Sequence, residues 1–224
     1  TPCSHFCPVG IDVPRYIQFI ADGRFDEAVA VIRERMPFPG TCGMVCLHPC
    51  ETRCARVRLD SPVAVRLLKR FAFENGNEVW KRRTKTKPKS GKRIAVVGAG
   101  PAGLTAAYYL AKQGHAVVVY ESAARTGSTM FHCIPEYRLP SAVLDSEISV
   151  IEEAGVKIEV NSRIESIEAL VAAGYDACFI AIGAQQAMRL GVPGEDSQGV
   201  MPAVEMLTAT RLLHAPRLSG HVVV

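Results

Sequence analysis

The chain has 224 residues, 48% of them hydrophobic, with eight cysteines and a net charge of +4. That length suits one large domain or a small one beside a medium one, and the apolar content excludes global disorder. No run approaches the roughly 18 apolar residues of a membrane span, and the start Thr1-Pro2-Cys3 lacks the basic-then-apolar pattern of a signal peptide.

The chain opens without Met, as a processed N-terminus would, and its first motif is Cys3-Ser-His-Phe-Cys7-Pro8. A helix follows from the N-cap Asp12 to Ala21, and a second over Phe25 to Arg35 buries Ala28, Val29, Val31 and Ile32 before Pro37-Phe-Pro39-Gly40 stops it. Cys42, Cys46, Cys50 and Cys54 then recur at every fourth position. Gly43 and Pro49 argue against one continuous helix and for short turns around an inorganic centre, either an iron–sulfur cluster or zinc. Ser61-Pro62 reads as the start of a third helix through Val63, Val65, Leu67, Leu68 and Phe71, ending near Asn75-Gly76. Residues 1–80 are thus expected to be a small all-α, cysteine-rich unit whose slight core is stabilised by bound metal. Without an export signal, this cysteine usage favours metal over disulfides and a reducing, cytoplasmic setting.

Residues 81–92 read as a basic, solvated linker. Lys81, Arg82, Arg83, Lys85, Lys87, Lys89, Lys92 and Arg93 contribute +8 with no acid among them, so the rest of the chain sums to −4. Trp80 is the only aromatic beside them, which argues against nucleic-acid binding.

From Arg93 the hydrophobic period changes. Ile94–Val97 is an apolar strand, Gly98-Ala-Gly100-Pro101-Ala102-Gly103 a turn, Leu104 to Gln113 a helix, and Ala116–Tyr120 a second strand. That order is the βαβ context a dinucleotide fingerprint requires: Gly98 for the tight turn, Gly100 for backbone approach to a pyrophosphate, Gly103 for close helix–strand packing. Glu121 lies 18 residues after Gly103, close to the ~20 expected of the acid that binds a ribose hydroxyl. An acid there disfavours a 2′-phosphate and suits FAD or NAD. Further on, Ser141–Ala154 and 164–173 read as helices, Val156–Val160 and 177–184 as strands, and Ala203–Leu213 as a helix. His221–Val224 reads as the first strand of a further βαβ unit, making 93–219 a Rossmann-like α/β domain and 220–224 the start of another.

Together these stretches resemble the glutamate synthase small-subunit family of FAD/iron–sulfur NAD(P)H oxidoreductases, whose relatives include the large subunit of NADH-dependent ferredoxin:NADP oxidoreductase and the N-terminal half of dihydropyrimidine dehydrogenase. The matching residues are Cys3…Cys7-Pro8, Ile11-Asp12-Val13-Pro14, Cys42-Gly-Met-Val-Cys46, His48-Pro-Cys50-Glu-Thr-Arg-Cys54, Pro62-Val-Ala-Val-Arg66, Gly98–Gly103, Ile134–Pro140 and Ala181–Ala184. The resemblance implies one or two [4Fe–4S] clusters in the helical domain, FAD in the next, and NAD(P)H bound by a domain outside this chain. Electrons would pass from nicotinamide through FAD and the clusters to a partner oxidoreductase subunit or a ferredoxin-like carrier, with no nucleic acid, no membrane span and no protein side chain as catalyst. Cys3 and Cys54 would serve one cluster, and Cys7, Cys46 and Cys50 the other. The second cluster's remaining ligand in several relatives is a Glu or Gln aligned with Lys69, which a protonated lysine cannot replace; Cys42, favoured for standing beside the site, or His48 would then take its place, or a site on one iron would be open, or this cluster would be lost. Gly127, Ser128, Arg138 and Gly183 would complete the flavin site, with Ser128 where many relatives have glycine and Arg138 beside the reduced flavin. An alternative from a different class is a non-catalytic scaffold whose thiols hold zinc or a degenerate cluster. Cys178 reads as core, and Cys133 stays open between flavin contact and packing.

Overall fold

The computed structural model describes residues 1–83, 86–212, 214 and 217–224, so Lys85 of the basic segment and Leu213 of the last expected helix lie outside the described residues. The first eighty residues form six helices: α1 (Pro2–His5), α2 (Val13–Ala21), α3 (Phe25–Arg33), α4 (Pro39–Val45), α5 (Pro49–Thr52) and α6 (Val65–Asn75). One 3₁₀ turn, Ala55–Arg58, precedes α6 and another, Glu78–Arg83, follows it. Asp12 caps α2 by accepting from the Arg15 N–H at 3.3 Å, and α3 buries Ala28, Val29, Val31 and Ile32 as its periodicity requires. Tyr16 is almost wholly buried between these helices, and its hydroxyl donates to the Val65 carbonyl at 2.9 Å, tying α2 to α6.

Three local expectations change. Pro39 opens a helix instead of stopping one, because at the first helical position its missing N–H has no intrahelical partner to lose. Gly43 lies inside α4, where α6 crosses so closely that a Cβ would stand 3.0 Å from the Arg70 Cα; glycine here permits packing instead of breaking the helix. The third helix starts at Val65, not at Ser61-Pro62, because the Glu51 carboxylate reaches over from α5 and accepts from the Arg66 N–H at 2.8 Å. An acid at a helix N-terminus satisfies a free donor and meets the positive end of the dipole. Leu67 and Phe71, expected inside, are exposed.

The remainder is a four-stranded, all-parallel sheet with helices. In chain order it comprises β1 (Arg93–Val97), α7 (Pro101–Lys112), β2 (Ala116–Tyr120), α8 (Thr129–His132), α9 (Ser141–Glu153), β3 (Val156–Glu159), α10 (Ile167–Ala172), β4 (Ala177–Ile180) and α11 (Ala203–Arg211). Strand order is β3-β2-β1-β4, with Ile94 in register with Val117 on one side and Ala177 on the other. This is the doubly wound arrangement expected, and its core gathers Val96, Leu104, Ala107, Val119, Leu144 and Ile151. α7 begins three residues earlier than expected, at Pro101, and α10 three later, at Ile167, where the Ser166 hydroxyl caps it. Among the described residues His221–Val224 are exposed and take no strand conformation. Cys178 is only half-buried, beside the small apolar patch of Ala95, Val97, Leu170 and Tyr175.

From Thr86 on, the basic linker is exposed but not loose. The Lys87 N–H donates to the Lys112 carbonyl and the Ser90 N–H to that of Gly114, both at 2.9 Å, while Lys81 pairs with Glu153 on α9 at 2.6 Å. The two regions also share interior. Phe38, just before α4, is buried in the core of the sheet domain, with Cys42, Met44 and Val45 packed against it.

Candidate functional site

A cleft of about 820 Å³ opens at the carboxyl edge of the sheet. Every strand end contributes: Val97 and Gly98 after β1, Tyr120 and Glu121 after β2, Ser162 and Arg163 after β3, and Ala181 to Gly183 after β4. Ligands of open parallel sheets bind there because the loops and helix N-termini converge at that edge. Gly98 has φ 109°, and a side chain on it would strike the Ala181 carbonyl; one on Gly103 would strike the carbonyl of Gly98. The loop therefore packs against its own strand and helix, leaving its outer face to the cleft. The N-terminus of α7, a twelve-residue helix, starts at that loop and offers free N–H groups to an anion.

Glu121 is buried beneath the loop. One carboxylate oxygen accepts from the Ala99 N–H at 2.8 Å, the other from the Ala123 N–H at 2.9 Å and the Ser122 hydroxyl at 3.2 Å. It thus clasps the glycine turn as well as lining the cleft. Ser128 has φ 47° and ψ −124°, a conformation suited to glycine, and its hydroxyl accepts from Gln185 at 3.2 Å. A Cβ on Gly100 would lie 3.2 Å from the Ser128 Cβ, so these two residues form the narrow wall of the site.

Of the expected flavin residues, Gly98, Gly100, Glu121, Ser128 and Gly183 line the cleft. Pro101, Ala102 and Gly103 belong to the first turn of α7 behind it, and Gly127 is buried beside Leu144. Arg138 is exposed and is not part of the wall: the turn after Pro135 directs Leu139 into the core instead. Sequence reasoning passed over Arg163 and Thr208; the first was legible as the residue beyond a parallel strand, whereas the second comes from α11, over forty residues further along. His132 also lines the cleft, and burial holds its imidazole below its ordinary pKa despite the Glu121 charge nearby.

The thiols gather on the other side of the junction. Cys3, Cys7, Cys42 and Cys50 all belong to or pack against the helical core. Cys42, Cys46, Cys50 and Cys7 lie within electrostatic reach of one another, and burial pushes the Cys42 thiol up to about 11, eased by the Lys69 charge. Lys69 is itself buried on α6. His48 adopts a left-handed conformation, φ 44°, that aims its backbone N–H at the Cys46 Sγ, 3.3 Å away, and its ring lies 3.3 Å from Glu51. Cys54 precedes the 3₁₀ turn, and α1, which carries Cys3, packs against α5, which carries Cys50. Among the described residues, no three His, Cys, Asp or Glu groups converge as ligands of a single metal ion.

These features match two known families. Residues 1–80 match dihydropyrimidine dehydrogenase domain II, 4Fe-4S cluster, and residues 92–224 match pyridine nucleotide-disulphide oxidoreductase. The second match covers more than half of the sequence. This chain belongs to the pyridine nucleotide-disulphide oxidoreductase family. Among its relatives, the NADP(+)-dependent formate dehydrogenase subunit beta of Moorella thermoacetica is 39% identical over 99% of this chain and 35% of its own length. The NADPH-Fe(3+) oxidoreductase subunit beta of Geobacter sulfurreducens is 42% identical over 87% and 30%. The glutamate synthase [NADPH] small chain of Bacillus subtilis is 32% identical over 90% and 42%, which bears out the resemblance carried by the motifs. The chain thus spans about a third of the length of the first of these relatives.

The cofactors these families imply are [4Fe–4S] clusters in the first region and FAD with NAD(P)H in the second, and the residues present fit them. A backbone cradle that side chains would fill, an acid beneath it and a helix N-terminus suit a flavin dinucleotide. A thiol sulfur already met by a backbone N–H, on a short segment that carries further thiols at every fourth position, suits cluster ligation. No helix among the described residues is long and apolar enough to cross a membrane.

Proposed function

We propose that this chain is the iron–sulfur and FAD portion of an NAD(P)H oxidoreductase that relays electrons to or from a partner oxidoreductase subunit or a ferredoxin-like carrier in the cytoplasm. The observation that carries this reading is the shared interior: α4, which bears Cys42 and leads to Cys46, packs into the core of the domain that forms the dinucleotide cleft. Two redox sites on one packed unit suit relay better than a thiol staple with only a scaffolding role.

FAD and the [4Fe–4S] clusters supply the electron chemistry when bound. Gly98, Gly100 and the α7 N-terminus, with Pro101, Ala102 and Gly103, accommodate the pyrophosphate, and Glu121 accepts from the ribose while holding the loop. Gly127, Ser128 and Gly183 shape the wall along the dinucleotide, and Arg138, exposed here, contributes fixed positive charge toward a reduced flavin. Cys3 and Cys54 ligate one cluster. Cys7, Cys42, Cys46 and Cys50 form the thiolate set of the other, with Cys42 standing where relatives use the acid or amide aligned with Lys69. The domain division follows this assignment: 1–80 for clusters, 81–92 as connection, 93–219 for FAD, with nicotinamide bound elsewhere in the full-length protein.

Gly100→Val in the full-length protein tests the reading. The branched side chain meets Ser128, so FAD retention is lost while iron content stays at the wild-type level, and NAD(P)H no longer generates the cluster EPR signal that dithionite still produces. Clusters reduced by NAD(P)H at the wild-type rate in the FAD-free variant, or colourless wild-type protein with stoichiometric zinc, would overturn it.

A further inference from the structure

Between the two regions lies a buried carboxylate that neither cofactor site uses. Glu147, on α9, is fully buried, and its polar contacts all cross to the first turn of α4. Its Oε1 accepts from the Gly40 N–H at 2.6 Å; its Oε2 accepts from the Thr41 N–H at 2.9 Å and the Thr41 hydroxyl at 2.6 Å. Cys42 is the next residue. Arg33, equally buried, faces this carboxylate electrostatically, donates to the Pro37 carbonyl at 2.8 Å and lies 4.3 Å over the ring of Trp80, the only tryptophan. Tyr109 on α7 closes the set by donating to the Arg33 carbonyl at 3.2 Å.

Burying a carboxylate and a guanidinium costs more than an apolar contact of the same size, and such a pair rarely improves stability over a hydrophobic replacement. What it supplies is direction: three hydrogen bonds to two consecutive residues fix both the axial position and the rotation of α4. The other end of the lever is the cleft. α9 follows directly from α8 and the Ile134–Pro140 turn, and α8 carries the cleft residues Ser128, as its N-cap, and His132.

We propose that Glu147 is a positioning residue for electron transfer between flavin and cluster, holding the Cys42 helix at a fixed distance and orientation from the FAD cleft. This inference rests on the function proposed above. The step it serves is the loss of one electron by the reduced flavin and the gain of one by an oxidised [4Fe–4S] cluster, with no bond made or broken in the protein. Tunnelling falls steeply with separation, and sub-ångström support of a site decides its rate.

The test uses the full-length holoprotein under anaerobic conditions. Flavin is reduced by a photochemical donor, and cluster reduction is followed by freeze-quench EPR in wild type, Glu147→Gln, Glu147→Asp and Thr41→Val. Glu147→Gln should slow the transfer about tenfold, as displacement of a reacting group by a fraction of an ångström to an ångström does, with FAD and iron content unchanged and Trp80 emission shifted. Thr41→Val should slow it about threefold, and Glu147→Asp should recover part of the loss by restoring the charge. A Glu147→Gln protein that melts earlier but transfers electrons at the wild-type rate with an unaltered cluster spectrum overturns the inference, since Glu147 is then only structural. Should Glu147→Gln fail to fold, Thr41→Val decides: a wild-type rate in a fully loaded Thr41→Val protein overturns it equally. Absence of flavin-to-cluster transfer in wild type sinks the relay function itself, and this inference with it.

Discussion

The helical region and the sheet region reach a folded state by different means. In the sheet domain, Val96, Ala107, Val119, Leu144 and Ile151 form a contiguous apolar interior around parallel strands, and the two cysteines of that region, Cys133 and Cys178, are only half-buried at its margin. In the helical region the interior is smaller, and Cys3, Cys7, Cys42 and Cys50 belong to its core or pack directly against it. Five of its six helices have nine residues or fewer and two of these have only four, too short to persist unaided. The sheet region closes on hydrocarbon alone, whereas the small apolar core of the helical region also takes up thiols, so bound metal is expected to stabilise the helical region and not the sheet region.

The strongest way to break this contrast is to remove iron. Anaerobic chelation should strip hydrogen-exchange protection from α2 to α6 while β1 to β4 stay protected, because metal binding on the order of 10 kcal/mol is folding free energy for a site that the unfolded chain lacks. Equal loss of protection in both regions would mean that the shared interior around Phe38 makes them one cooperative unit.

A smaller effect of opposite sign sharpens the contrast from the other side. Ser128 is held at φ 47° in the wall of the cleft, so Ser128→Gly should relieve about 1 kcal/mol of backbone strain and raise the melting temperature of the sheet domain by a few degrees, leaving the helical region unchanged. A lowered melting temperature would show that the Gln185 bond to Ser128 outweighs the strain.

The smallest effect concerns pH. Burial lowers the His132 pKa from its ordinary 6.5 in the folded state, so the unfolded chain binds the proton more readily. Stability from the neutral imidazole is therefore fully present above about 6.5 and is lost as pH falls through that value toward the lower folded one. The sheet-domain melting temperature should fall modestly between pH 7 and pH 5, and less in His132→Gln; an identical pH profile in the variant would remove His132 as the cause.

Much of this was legible in the sequence. The change from helical periodicity to an apolar strand at Arg93, the glycine spacing and Glu121 specified a βαβ unit because each rests on local backbone sterics and short-range packing. The same holds for Asp12 as an N-cap and for the apolar stripe of α3. Misreadings occurred where a distant partner decided a local outcome. The start of α6 is set by Glu51, fifteen residues upstream of the Arg66 it caps. Gly43 stays helical because α6 lies against it.

The sequence by itself determined which chemistry the chain carries: thiols in one region and a dinucleotide turn in the other, since those depend on residue type and spacing within a few turns of backbone. Tertiary structure alone decided how the two regions meet. Glu147 sits in an ordinary helical pattern more than a hundred residues from Gly40 and Thr41, and nothing in its neighbourhood marks it as other than a surface acid. Only the folded chain brings that carboxylate to the α4 N-terminus, where desolvation, three donors and the buried Arg33 fix the cysteine helix against the flavin domain.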